Sequence, residues 1–207
     1  MIPLWKSLSD GSLSDAQIAL LDAYLDRLIE KNQVLNLTRI TDRAEAEIKH
    51  VADALTLLSF LPVPGVGRVS LADVGTGGGI PGVILAIARP DIRVTLIDST
   101  RKKLDAVKEI CDAIGVTNVD TLHSRIEAAD KKFDIITARA VAEMETLLGW
   151  CEGLMKRSST LLAMKGPRVD EEIKQMSSRT RHRWRIETHE LAVPELAGHR
   201  IVTARLS

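Results

Sequence analysis

Leu71-Ala72-Asp73-Val74-Gly75-Thr76-Gly77-Gly78-Gly79-Ile80-Pro81-Gly82 is an apolar run that reaches a carboxylate and breaks into glycines before a proline. Such a run reads as a buried strand, the glycines as a tight turn, and Pro81 as the opening turn of a helix. Glycines let backbone come close to a ligand, and a helix N-terminus offers unpaired amides to an anionic group. In a parallel sheet, the space beyond the carboxyl end of the first strand is where ligands bind.

Outward from this turn the same rhythm repeats. Short apolar runs at 69–74, 93–97, 118–122, 133–138 and 160–164 read as strands, and 81–89, 100–114 and 141–156 read as helices. This alternation predicts a mostly parallel sheet with helices on both faces. After Pro167 a charged helix over 169–176 leads to two further strands, 183–191 and 200–206. Upstream, Ser14 with Gln17 forms a capping box, and Ile18, Leu21, Leu25 and Leu28 follow at helical spacing. Asp42 with Glu45 forms a second box, and a helical segment runs on through His50 to Leu61. Pro62, Pro64, Gly65 and Gly67 then separate a helical cap (1–64) from the α/β core (65–207), the two making one domain.

A chain of 207 residues, 45% apolar, can bury one substantial core, and its zero net charge leaves any nucleic-acid contact to a local patch. Residues 1–6 (Met-Ile-Pro-Leu-Trp-Lys) show no basic-then-apolar leader, and the apolar stretch 52–61 falls short of the ~20 residues a membrane span needs. Cys111 and Cys151 form no framework, which suits a reducing cytoplasm. The five histidines make no metal-binding pattern, so no metal is expected.

Gly77-x-Gly79-x-x-Gly82 also fits a dinucleotide fingerprint. Asp73 favours S-adenosyl-methionine over NAD, because a carboxylate beside the turn suits a cationic amino-acid moiety and repels a pyrophosphate. Asp98, closing the second strand, can accept from ribose hydroxyls under either reading. An NAD-binding protein therefore stays open on these residues alone.

Taken together, 73–82 followed by Asp98-Ser99 resembles the bacterial small-subunit (16S) ribosomal RNA guanine-N7 methyltransferases, the glucose-inhibited division protein B (RsmG) family. Asn36-Leu37-Thr38-x-Ile40, His50-x-x-Asp53, Arg125-x-Glu127, Thr137-Ala138-Arg139-Ala140, Met164-Lys165-Gly166 and Gly198-His199-Arg200-Ile201-Val202 match the family's signatures in order. Two places depart from it: Arg157-Ser158-Ser159 stands where Pro-Gly-Gly is usual, and Lys31 replaces a tryptophan. The resemblance implies a Rossmann-like methyltransferase fold and a cytoplasmic, monomeric enzyme acting on 16S ribosomal RNA or a small-subunit particle. It implies cofactor contacts from Asp73, Gly75, Thr76, Gly77, Ile80 and Asp98, with Ile126 and Glu127 at the adenine.

Arg139 ends an otherwise apolar strand, which costs stability unless the group is paired or solvated. It is the expected substrate-facing and cofactor-facing residue. Lys165 ends the next strand, as a catalytic or RNA-contacting group or as a solvated lysine. His50 and Asp53, at i and i+3, can face one pocket or form a surface pair. Arg179, Arg181, Arg183 and Arg185 alternate, so on a strand they would share one face and suit phosphates. Arg125 and Arg200 are further RNA candidates. Guanine N7 has a lone pair and no proton, so methyl transfer to it needs positioning and charge management without a base. A small-molecule methyltransferase or a non-catalytic RNA-binding module with the same fold are the alternatives; 3% aromatic content argues against an aromatic-lined small-molecule pocket. S-adenosyl-methionine is expected to raise the melting temperature in a dose-dependent way and NAD to leave it unchanged; the reverse would restore the dinucleotide reading.

Overall fold

The computed structural model describes residues 13–65 and 67–207, so the segment 1–6 considered above lies outside the described residues. Helix α1 (Asp15–Asn32) starts at the expected capping box, with Ser14 accepting from the Gln17 amide and Gln17 Oε1 accepting from the Ser14 amide at 2.9 Å. The Gln17 side chain also donates to the Ile87 and Ala88 carbonyls, which caps the end of a second helix. Leu21, Leu25 and Leu28 are buried, as their spacing requires. Asp42 caps the next helix by accepting from the Glu45 amide at 2.7 Å, while the Glu45 carboxylate turns to Lys49. The chain then stays helical through α2 (Arg43–Ala46), a π-helical turn (Glu47–Ala52), α3 (Asp53–Leu55) and a 3-10 turn (Thr56–Phe60).

The core runs β1 (Val69–Val74), α4 (Gly82–Ala88), β2 (Ile92–Asp98), α5 (Arg101–Ile114), β3 (Val119–His123), β4 (Phe133–Arg139), α6 (Met144–Cys151), β5 (Met155–Lys165), α7 (Val169–Gln175), α8 (Ser178–Arg183), β6 (Trp184–Glu190) and β7 (Arg200–Leu206). Among the described residues one sheet forms, in the order β3-β2-β1-β4-β5-β7-β6. Its first five strands pair in parallel, and β7 runs against both β5 and β6. The order reverses between β1 and β4, which opens a crevice at their carboxyl ends.

Side chains alternate between two apolar layers. Leu71, Val94, Leu96, Ile135 and Leu162 face α1, α4 and α5, while Ala72, Val74, Ile136, Ala138 and Leu161 face α6 and α7. The helical extension therefore shares a core with one face of the sheet. β5 starts five residues earlier than its apolar run at 160–164, because its register against β4 shifts across a bulge between Phe133 and Ile135. Arg157-Ser158-Ser159 falls in that bulge, where Ser159 accepts from the Lys156 amide at 2.7 Å and donates to the Phe133 carbonyl.

The Asp73 carboxylate lies fully buried under the glycine turn. It accepts from Thr76 Oγ1 at 2.5 Å, the Gly82 amide at 3.0 Å and Thr137 Oγ1 at 3.0 Å, joining β1, the turn, α4 and β4. Gly82 allows this approach: a Cβ there would lie 2.8 Å from Asp73 Oδ2 and 2.5 Å from Leu96 Cδ2. Burial pushes the Asp73 carboxyl up to about 6, against the pull of its three donors. A raised folded pKa means that the native state binds the proton more tightly. The resulting stability is full below the unfolded value near 4 and is lost as pH rises through about 6. Asp73→Asn can keep the pattern, its oxygen accepting from Thr76 and Gly82 and its amide donating to Thr137. Wild-type unfolding free energy, measured in urea and taken relative to Asp73→Asn, should therefore fall by about 2–3 kcal/mol between about pH 4 and pH 7. A difference that stays flat would show that Asp73 titrates normally.

Candidate functional site

Two cavities open at the carboxyl ends of β1, β2 and β4, and Gly75 lines both. The smaller, about 200 Å³, is walled by Asp98, Ser99, Arg125, Ile126, Glu127, Val141 and Trp150. Apolar walls from Ile126, Val141 and Trp150 with a carboxylate at the rim fit a purine and its ribose. Asp98 already accepts from the Gly77 amide at 3.0 Å and the Thr100 amide at 2.8 Å, which fixes the carboxylate against the turn. Each of its oxygens keeps lone-pair capacity for a hydroxyl. Trp150, on α6, was not singled out from the sequence, since it is one of several apolar residues at helical spacing.

The larger cavity, about 1100 Å³, lies between the turn and the helical extension. Gly75, Thr76, Gly77, Gly78 and Ile80 form its floor, and residues from Asn32 to Asp53 form a wall. Arg39, Lys49, Lys103, Arg139, Lys165 and Arg200 line it, beside Asp53 and Glu172. Lys49, Lys165 and Arg200 are paired with Glu45, Glu172 and Glu190, so its excess positive charge comes from Arg39, Lys103 and Arg139. The wall is tied to the turn: Tyr24 Oη donates to the Gly78 carbonyl at 2.5 Å, and Asn32 Oδ1 accepts from the Leu37 and Thr38 amides. Burial holds the Tyr24 hydroxyl well above its ordinary pKa, so it remains a donor.

Arg139 sits at the end of β4 with Nη1 donating to the Lys49 carbonyl at 2.8 Å and to His50 Nδ1 at 3.1 Å. Among the described residues its Nε and Nη2 have no protein acceptor, which leaves three N–H groups for a ligand. Burial lowers its pKa from the ordinary value, opposed by Asp53, Asp73 and Tyr24. The next residue, Ala140, has φ 54°, a left-handed conformation that costs a non-glycine residue about 1 kcal/mol. Lys165 braces this loop by donating to the Ala142 carbonyl at 2.9 Å and pairing with Glu172 at 2.6 Å. It is neither a solvated lysine nor an unpaired one.

His50 and Asp53 are both buried and both line the larger cavity, but each bonds elsewhere. Asp53 pairs with His199 at 3.2 Å, raising the His199 pKa, and His50 takes Arg139 and Thr38. Arg200 lines the same cavity while bonded to Glu190, and Arg125 stands exposed at the smaller one.

Two expectations are corrected. Asp73 reaches neither cavity: it is spent on the backbone and hydroxyl donors beneath the turn and is not placed to meet a ligand's ammonium group. The arginines at 179, 181, 183 and 185 do not share a strand. Ser177 caps α8 by accepting from the Thr180 amide, so Arg179, Arg181 and Arg183 are helical and only Arg185 lies in β6. Arg181 donates to the Lys174 carbonyl, and Arg183 pairs with Glu152. Trp184 pairs with Leu206 and Glu190 with Arg200, so Arg183 and Arg185 fall at the end of the sheet opposite the cavities.

No described helix is long and apolar enough to cross a membrane. No group of three or more His, Cys, Asp or Glu side chains among the described residues could hold a metal ion. Residues 17–199 match the family described as rRNA small subunit methyltransferase G (GidB). The chain is 42% identical over 171 residues to the ribosomal RNA small subunit methyltransferase G of Sorangium cellulosum, covering 80% of this chain and 71% of that protein. It is 39% identical over 189 residues to the protein of the same name from Psychrobacter cryohalolentis, covering 91% and 76%. A solved ribosomal protein L11 methylase from Lactobacillus delbrueckii subsp. bulgaricus shares the fold, with a TM-score of 0.59 at 16% identity over 77% of this chain and 79% of that one. The family match runs from the first turn of α1 to the residue before β7, and the chain belongs to the rRNA small subunit methyltransferase G family.

Proposed function

We propose that this chain transfers the methyl group of S-adenosyl-methionine to N7 of a guanine in 16S ribosomal RNA. The observation that carries the choice of atom is the state of the bases around the larger cavity. Its two carboxylates and two imidazoles are each bonded within the protein: Asp53 to His199, Glu172 to Lys165 and the Met144 amide, and His50 to Arg139 and Thr38. A site so committed suits an acceptor atom with a free lone pair and no proton to remove.

The cofactor supplies an electrophilic methyl group on a sulfonium. Gly75, Thr76, Gly77 and Ile80 would hold its methionine end, Asp98 would bind the ribose, and Ile126 and Glu127, with Trp150, would enclose the adenine. Gly75 lines both cavities, so a cofactor held by these residues would lie beside the larger one. Guanine N7 carries a free lone pair and no proton, so accepting that methyl group would require none of this chain's residues to act as a base. Arg139 offers Nε and Nη2 to guanine O6, to a phosphate or to the cofactor carboxylate, and Lys165 acts through the 140–142 loop. Arg39, Lys49, Lys103 and Arg200 receive the RNA backbone at the cleft, by charge that salt would screen.

The helical extension and the core work as one domain, and the enzyme acts as a cytoplasmic monomer on naked RNA or on a small-subunit particle. Nucleosides from small-subunit RNA of a strain lacking this protein should lack one 7-methylguanosine that the parent contains. Wild type should restore it, and Arg139→Ala should not, its turnover falling about 100-fold or more. An unchanged nucleoside profile would defeat the ribosomal assignment.

A further inference from the structure

Arg139 does not stand by itself at the end of β4. Both hydrogens of its Nη1 are taken by consecutive residues of the π-helical turn, the Lys49 carbonyl and His50 Nδ1. Short π-helical turns inside helices often mark functional positions. A guanidinium can only donate, so His50 Nδ1 must accept and its Nε2 must carry the proton. Nε2 then donates to Thr38 Oγ1 at 2.9 Å, and that oxygen also accepts from the Ile40 amide at 3.2 Å. The chain of contacts runs from the guanidinium through a single imidazole to the 36–41 segment, which lines the cleft. His50 is buried, with 1% of its surface exposed, and both ring nitrogens are bonded in this orientation. Burial and the neighbouring Arg139 charge push its pKa down to about 4, in keeping with a neutral ring.

We infer that His50 is a positioning residue, which aims the Arg139 guanidinium through its Nδ1 lone pair and locks it to the 36–41 wall of the cleft. The inference rests on the reading of Arg139 as a substrate-facing group.

The test is single-turnover methylation of small-subunit particles lacking the modification, with S-adenosyl-methionine affinity and melting temperature measured on each full-length variant. His50→Ala should slow transfer about 100-fold, the scale of loss when a supporting change misplaces a reacting group, with cofactor affinity nearly unchanged. His50→Asn should recover most of the rate, because Asn Oδ1 takes the place of Nδ1 as acceptor for Arg139. His50→Gln reaches Thr38 but not the Nδ1 position, and should stay slow. In an Arg139→Ala background, His50→Ala should cost no further rate, whereas a general packing defect would add to it. Full activity in His50→Ala, equal rates for the Asn and Gln variants, or a persisting effect in the Arg139→Ala background would each overturn the proposal. Loss of cofactor binding in all three His50 variants would also overturn it, by making His50 a packing residue. Full activity in Arg139→Ala would instead remove the reading on which the inference stands.

Discussion

A single buried carboxylate organises the site. Asp73 closes β1 and accepts hydrogen bonds from the glycine turn, from the first residue of α4 and from β4. Each of these bonds satisfies a donor that would otherwise be costly to bury, and together they satisfy the carboxylate. The turn is thereby fixed where Gly75 lines both cavities. The same bond to Thr137 holds the strand that carries Arg139, two residues further on. The glycine turn and the strand that ends in Arg139 thus share one anchor that lines neither cavity.

On this frame the helical extension adds a second wall that the core lacks. Tyr24 reaches from α1 to the Gly78 carbonyl, Asn32 orders the segment beginning at Leu37, and the π-helical turn supplies two acceptors to Arg139. The larger cavity therefore lies between two parts of the chain, and its charge comes from both. The extension contributes Arg39 and Lys49, and the core contributes Lys103, Arg139, Lys165 and Arg200. A cleft built from both parts is open and lined by cations, which suits an RNA segment. The smaller cavity has apolar walls of Ile126, Val141 and Trp150, which suit a purine, and a polar rim.

Much of this was legible in the sequence, because parallel strands buried on both faces appear as continuous apolar runs. Val69–Val74 and Arg200–Leu206 fall where their patterns put them, and the glycine turn marks the crevice. Arg139 stood out because a charge closing an apolar strand needs a reason. The failures have physical causes. The 177–185 stretch has no apolar periodicity to separate helix from strand; the usable signal was Ser177 as an N-cap, which starts α8. Asp73 looked like a ligand contact because its donors, Gly82 and Thr137, lie 9 and 64 residues further along the chain. The link from His50 to Arg139 spans 89 residues, and nothing local to either residue announces it.

The central claim is that the site transfers a methyl group without removing a proton. The pH dependence of the single-turnover rate, at saturating cofactor and RNA, tests it most directly. A base-free transfer predicts a rate that is nearly flat from about pH 6.5 to pH 8.5, once the fold and the complex are intact across that range. A tenfold rise per pH unit over part of that range, levelling off at a single pKa, would show that a group in the cleft must lose its proton first. That result would contradict both the claim and the assignment of N7 as the acceptor.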